Sequence, residues 1–159
     1  MTSASLMRPL LIGIGNPYRR DDGAGIVAVR RARSQLPPHV EVLEWMGDLV
    51  TLLDVWQNRH CIVVDALKSG GDPGEVLRVE AHHEPLPTGR RFFSTHTVGL
   101  EEVIALARVL NKLPSELVLY GLEGDDFGEG EGLSLAVEKA IEDVVRYILQ
   151  DILRGEIDA

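Results

Sequence analysis

Two short apolar runs, Leu10-Leu11-Ile12 and Cys61-Ile62-Val63-Val64, predict fully buried strands; the first ends in Gly13-Ile14-Gly15. Behind the first, Ile26, Val29 and Leu36 recur near helical spacing, which predicts a helix over 25–36 with Arg30, Arg31 and Arg33 on its solvated side. Pro37-Pro38 ends it. Residues 39–44 alternate Val40 and Val42 with Glu41 and Glu44, the pattern of a half-buried strand. Asp48 is a candidate N-cap for a helix through Val50, Leu53 and Trp56. The link from Asp65 to Gly74 is too short and too rich in Gly and Pro for a crossover helix. The next strand, 75–80, is therefore expected to run antiparallel to its predecessor. After a polar loop, Val103, Leu106 and Leu110 mark a helix over 98–110, and residues 116–121 a last strand. An acidic loop over 124–132 leads to a long amphipathic helix over 133–153.

The order βαβαββαβα implies an α/β fold: a twisted, mostly parallel five-stranded sheet with one antiparallel strand and helices on both faces, a three-layer sandwich. Residues 10–155 are expected to form a single domain after a flexible lead-in, 1–9, in which Met7 is a possible second start. The length of 159 residues suits one core.

Net charge is −9, which argues against a nucleic-acid partner. No apolar run approaches the roughly 20 residues that span a bilayer, and the N-terminus has no secretory h-region, so membrane insertion is not expected. The one cysteine, Cys61, rules out a disulfide framework and fits a reducing cytoplasm. A monomer is the favoured oligomeric state.

Three side chains are expected to converge at the carboxyl edge of the sheet: Asp22 in the first loop, Asp65 directly after the second apolar run, and His96 before a helix. Two carboxylates and an imidazole suit a divalent transition metal better than calcium or magnesium. Each residue also has a plainer reading. Asp22 caps the helix behind it, Asp65 is a turn residue, and His96 caps the following helix. Asp21 reads as a solvated neighbour or a support for Asp22. His82-His83 reads as exposed, His39 and His60 as structural, and Glu123, Asp125, Asp126, Glu129 and Glu131 as solvated. No organic cofactor is expected. Gly13-Ile14-Gly15 opens like a dinucleotide fingerprint, but Tyr18 occupies the third glycine position; Glu44 keeps that reading open as the ribose-binding acid. Cys61 has no base beside it, and no nucleophile elbow or Walker-type loop is present.

With these residues assembled, the chain resembles the hydrogenase maturation proteases, endopeptidases that trim the large subunit of nickel–iron hydrogenases. The resemblance runs from Leu10 to about Val145. It rests on Gly13-x-Gly15-Asn16 followed by Asp21-Asp22-Gly23-x-Gly25, on Val63-Val64-Asp65-Ala66, and on Ser94-Thr95-His96-x-x-Gly99-Leu100. It implies that Asp22, Asp65 and His96 are the catalytic, metal-contacting trio. It further implies that the nickel arrives with the partner, the hydrogenase large-subunit precursor, whose C-terminal extension is then removed. A non-cleaving, nickel-sensing or chaperone-like module of the same fold is the alternative. One departure stands out. Where many relatives carry Asp-x-Gly-Thr after the second strand, this chain has Glu44-Trp45-Met46-Gly47-Asp48, which puts the identity of the hydrogenase in question. Trp45 and Met46 are either a contact for the precursor or ordinary core packing.

Overall fold

The computed structural model describes residues 8–95 and 97–158. In chain order the elements are β1 (Leu10–Ile14), a 3-10 turn (Arg20–Gly23), α1 (Ala24–Arg33), β2 (Glu41–Trp45), α2 (Leu52–Trp56), β3 (His60–Leu67), β4 (Val76–Glu80), α3 (Leu100–Leu110), β5 (Glu116–Glu123) and α4 (Leu135–Asp158). The expected succession of strands and helices is all there. The final helix runs to Asp158, past the expected end of the domain. Of the expected lead-in, residues 1–7 lie outside the described residues.

The five strands form one sheet in the order β2-β1-β3-β5-β4. β1 is parallel to β2 and β3, and β3 is parallel to β5. β4 is antiparallel, as the short glycine-rich link requires, but its hydrogen-bonding neighbour is β5. β5 enters between β3 and β4, so the link 68–75 passes over its end instead of closing a hairpin. Gly74 N donates to Glu123 O at 2.8 Å, and Glu123 N donates to Glu75 O at 2.9 Å.

The two faces follow from strand parity. Leu10, Ile12, Cys61, Val63, Leu117 and Leu119 turn to one face, where α2 and α3 cover them with Leu52, Trp56, Val103 and Ile104. Leu11, Ile62, Val64, Tyr120 and Leu122 turn to the other, against α1 and α4. In α4, Val137, Ile141, Val144, Ile148 and Ile152 repeat every three or four residues and are buried. Each such side chain stabilises the fold by about 2 kcal/mol on full burial. Trp56 is fully buried, and its indole N–H still finds an acceptor, Lys112 O at 3.1 Å.

α2 is shorter than the spacing predicts. Asp48 does not cap it: its Oδ1 accepts from Val50 N at 2.9 Å, closing a turn of its own ahead of the helix. The connections leaving β1 and β3 diverge to opposite halves of the sheet. A crevice therefore opens at their carboxyl ends, where open α/β sheets place ligands.

Candidate active site

The loop after β1 is shaped by close backbone contacts. Gly15 has φ +140°, and a Cβ there would lie 1.9 Å from Asp22 O. A Cβ on Gly25 would lie 2.2 Å from Val64 O and 2.6 Å from Ile14 O, so α1 starts wedged between β1 and β3. Asp22 sits inside the 3-10 turn, and α1 begins behind Gly23 with no side-chain cap. The capping reading of Asp22 therefore fails. Its Oδ2 instead accepts Asn16 N–H at 3.1 Å, which turns the carboxylate back toward the mouth of β1.

Asp65 lies inside β3, because the strand continues to Leu67, and it pairs with Gly121 of β5. The turn-residue reading is excluded. Asp65 shares the parity of Val63 and Leu67 and so faces the α2–α3 layer. The side chain is 1% exposed. Oδ1 accepts Ala66 N–H at 2.8 Å, and Oδ2 has no hydrogen-bond partner among the described residues. Burial pushes the carboxyl well above the ordinary carboxylate range. The Ala66 N–H opposes that rise, and the negative charges of Asp22 and Glu101 add to it.

The third segment arrives along the extended end of β3. Phe93 N donates to Ala66 O and Lys68 N to Arg91 O, both at 2.9 Å, and Phe92 bridges Leu67. Ser94 and Thr95 are thereby carried to the crevice. His96 follows Thr95 and lies outside the described residues. Glu101, in the first turn of α3, fixes this segment by accepting Phe92 N–H at 2.6 Å.

These parts enclose a cleft of about 160 Å³, with Asp22 and Asn16 on one side, Phe93, Ser94 and Thr95 on another, and Trp45, Met46 and Leu49 as an apolar wall. Trp45 is half-buried, packs on the core and donates its indole N–H to Asp48 O at 3.0 Å; Met46 is 53% exposed. Of the two readings of this pair, Trp45 takes the packing role and Met46 stays open to a partner. Glu44 is held by Arg30 at 2.8 Å and Arg33 at 3.7 Å.

Two acids depart from expectation. Asp21 is not solvated but fully buried. Its carboxylate accepts Asp125 N, Asp126 N, Ser134 N and Ser134 Oγ at 2.7–3.0 Å. Burial alone would raise its pKa; these donors outweigh burial and hold it below the ordinary value. Glu123 is also buried. It accepts Ser69 N (2.7 Å), Ser69 Oγ (2.8 Å) and Gly71 N (3.1 Å) and meets Arg90 at 3.5 Å. Asp21 pins the 125–134 loop, and Glu123 pins the link that leaves β3. Glu101 escaped the sequence reading, because an acid in a first helical turn looks like a complement to the helix dipole.

Asp22 lines the cleft, and Asp65, with its unpaired Oδ2, is buried in β3 close enough for the two charges to repel. A cation or a polarised group brought beside the two carboxylates would relieve the repulsion between them. Asp22 is itself 4% exposed and reaches the cleft from its floor.

Comparison with known proteins gives consistent matches. The family model for hydrogenase maturation protease, HycI, matches residues 32–151. The hydrogenase expression/formation protein HupD of Thiocapsa roseopersicina is 33% identical over 150 residues, spanning 87% of this chain and 68% of the relative. The hydrogenase 2 maturation protease of Escherichia coli is 29% identical over 157 residues, spanning 96% and 95%. The solved structure of the hydrogenase maturating endopeptidase HybD from E. coli superposes with a TM-score of 0.77 at 26% identity, covering 94% of each chain. The five-stranded sheet and its helix layers are thus those of a known peptidase, and the chain belongs to the hydrogenase maturation protease family, a family of peptide-bond hydrolases.

Proposed function

We propose that this protein removes a C-terminal extension from the large-subunit precursor of a nickel–iron hydrogenase once the precursor holds its nickel. Asp22, Asp65 and His96 would contact that nickel, which belongs to the substrate and not to the enzyme. The observation that carries this reading is Asp65: a buried carboxyl with an unpaired Oδ2, beside the negative charges of Asp22 and Glu101. A group kept in that state has its charge favoured only when a cation enters. The two carboxylates, with the imidazole expected from His96, are the donor set a divalent transition metal accepts.

The roles of the chain's own groups follow. The Asn16 N–H orients Asp22, whose carboxylate would contact the precursor's metal or take a proton from water in hydrogen-bond reach. Asp65 supplies a second oxygen from a fixed point in the sheet. Trp45, Met46 and Phe93 give the cleft apolar walls against which a peptide segment can be held away from water. The precursor's nickel, held beside these residues, would supply Lewis-acid polarisation of the scissile carbonyl or of an attacking water.

The test is the intact mass of a large-subunit precursor, loaded or free of nickel, before and after incubation with this protein. Loss of one C-terminal peptide from the loaded form alone is expected. Equal cleavage of both forms overturns the nickel requirement, and cleavage of neither overturns the proposal for that precursor.

A further inference from the structure

The turn that follows β4 gathers a second set of metal-binding side chains, at the opposite rim of the sheet from Asp65. β4 runs antiparallel to β5, so Glu80 pairs with Val118 near the amino end of β5, whereas Asp65 pairs with Gly121. Residues 80–84 then close a tight, well-anchored turn. Glu80 O accepts His83 N at 3.2 Å and Glu84 N at 2.9 Å, and Glu84 Oε1 accepts Glu80 N at 2.9 Å. Arg108 donates to Ala81 O at 2.7 Å.

Within this turn, one ligand atom from each of Glu80, His82 and His83 lies within 4.8 Å of the other two. Among the described residues no other three His, Cys, Asp or Glu side chains meet this way. The two imidazoles stand edge to face, 4.4 Å apart at 78°, and His83 is exposed. Nδ1 of His82 lies 3.0 Å from Leu117 N and 3.4 Å from Leu117 O. Leu117 N–H donates to Nδ1 and fixes the ring; for Nε2 to ligate a metal its proton must pass to Nδ1, which then donates to Leu117 O in place of accepting from Leu117 N. A backbone carbonyl beside the other nitrogen is a common support for a ligating histidine.

We infer that Glu80, His82 and His83 form a surface site for one divalent transition metal ion, separate from the cleft. Two imidazole nitrogens and one carboxylate oxygen match borderline cations such as nickel or zinc. Calcium and magnesium demand more oxygens. The competitor for Glu80 is Arg78, 3.2 Å from its Oε2, but that guanidinium also holds Asp151 at 2.9 Å. Release of Glu80 therefore leaves Arg78 paired. Three ligands leave further coordination positions to water, so the site takes a free aquo ion without any precursor present.

The experiment titrates the untagged full chain with nickel chloride, and separately with zinc chloride, by calorimetry and native mass spectrometry. The variants are His83→Ala, Glu80→Gln and Asp65→Asn. Expected is one ion per native chain, an affinity about tenfold lower or worse in His83→Ala and in Glu80→Gln, and unchanged binding in Asp65→Asn. Far-UV circular dichroism checks that the exposed His83→Ala variant is folded, and Glu80→Gln gives an independent second reading. No binding by the native chain at millimolar metal overturns the inference. So does undiminished binding in both turn variants, or loss of the ion in Asp65→Asn.

Discussion

Asp21 and Ser134 are joined twice across 113 positions of sequence: Ser134 N donates to Asp21 Oδ1 at 2.8 Å and Ser134 Oγ to Oδ2 at 2.7 Å. With Asp125 N and Asp126 N on the same carboxylate, this one side chain ties both ends of the 125–134 loop to the turn that carries Asp22. Asp21→Ala leaves four donors without their acceptor. Hydrogen bonds to a charged group are worth about 1.5–3 kcal/mol each but are not additive, so a loss of about 3 kcal/mol is expected. The urea midpoint at neutral pH measures it. A midpoint equal to that of the native chain would show that the loop holds itself.

Glu123 sets part of the acid sensitivity. Burial would raise its pKa, but Ser69, Gly71 and Arg90 hold it below the ordinary value. The stability it supplies is complete above the unfolded glutamate value of about 4.3 and is lost as pH falls through the lower folded value. Glu123→Gln should therefore weaken the fold at pH 7 and flatten the acid limb of the stability curve. Thermal melts between pH 7 and pH 3 test this; parallel curves for the two proteins would refute it.

Asp65 has the opposite sign. Its folded pKa is raised, so its share of stability is full below about pH 3.9 and is eroded as pH rises toward the folded value. Asp65→Asn keeps the shape and removes that erosion. At pH 7 the variant should melt higher than the native chain and cleave about a hundredfold more slowly or worse. A variant that is more stable and still fully active would remove Asp65 from the chemistry.

Gly25→Ala tests the wedge at the start of α1. The added methyl meets Val64 O and Ile14 O, both backbone atoms that cannot rotate aside. Overpacking of this kind costs about 3 kcal/mol. A denaturation midpoint close to the native one would mean that β1 and β3 can separate more easily than the contacts imply.

Met46 is the exposed part of the cleft wall. Met46→Glu should leave stability within about 0.5 kcal/mol, as surface changes do, while raising KM for a loaded precursor and leaving kcat near native. A fall in kcat with unchanged KM would place Met46 in the reaction and not in docking.

The elements were legible because their signals are local. The two apolar runs, the alternation at Val40 and Val42, and the heptad-like spacing of α4 each depend on a few neighbouring positions. The position of β4 was only half legible. Its direction follows from a short link, but its partner β5 lies more than 35 residues ahead, and no local spacing encodes that insertion. The acids show the same division. Asp22 and Asp65 stand out because charge follows an apolar strand. Asp21 and Glu123 look like surface acids, since their donors come from distant loops, Ser134 for one and Ser69 for the other. Glu80 was visible only as the end of a strand, and His82-His83 only as part of a polar loop. Their convergence depends on how Leu117 orients one ring.

Asp65 sits in the middle strand of the sheet, laddered to β5 on one side and one residue beyond the Gly13–Val64 pair on the other. A side chain rooted there has no hinge. On the proposed function it is, in mechanical terms, an anvil: the precursor would be brought to it, and any adjustment would fall to the walls that carry Met46 and Ser94. Such a machine would tolerate many shapes of incoming chain at its rim while reading a single fixed point at its centre.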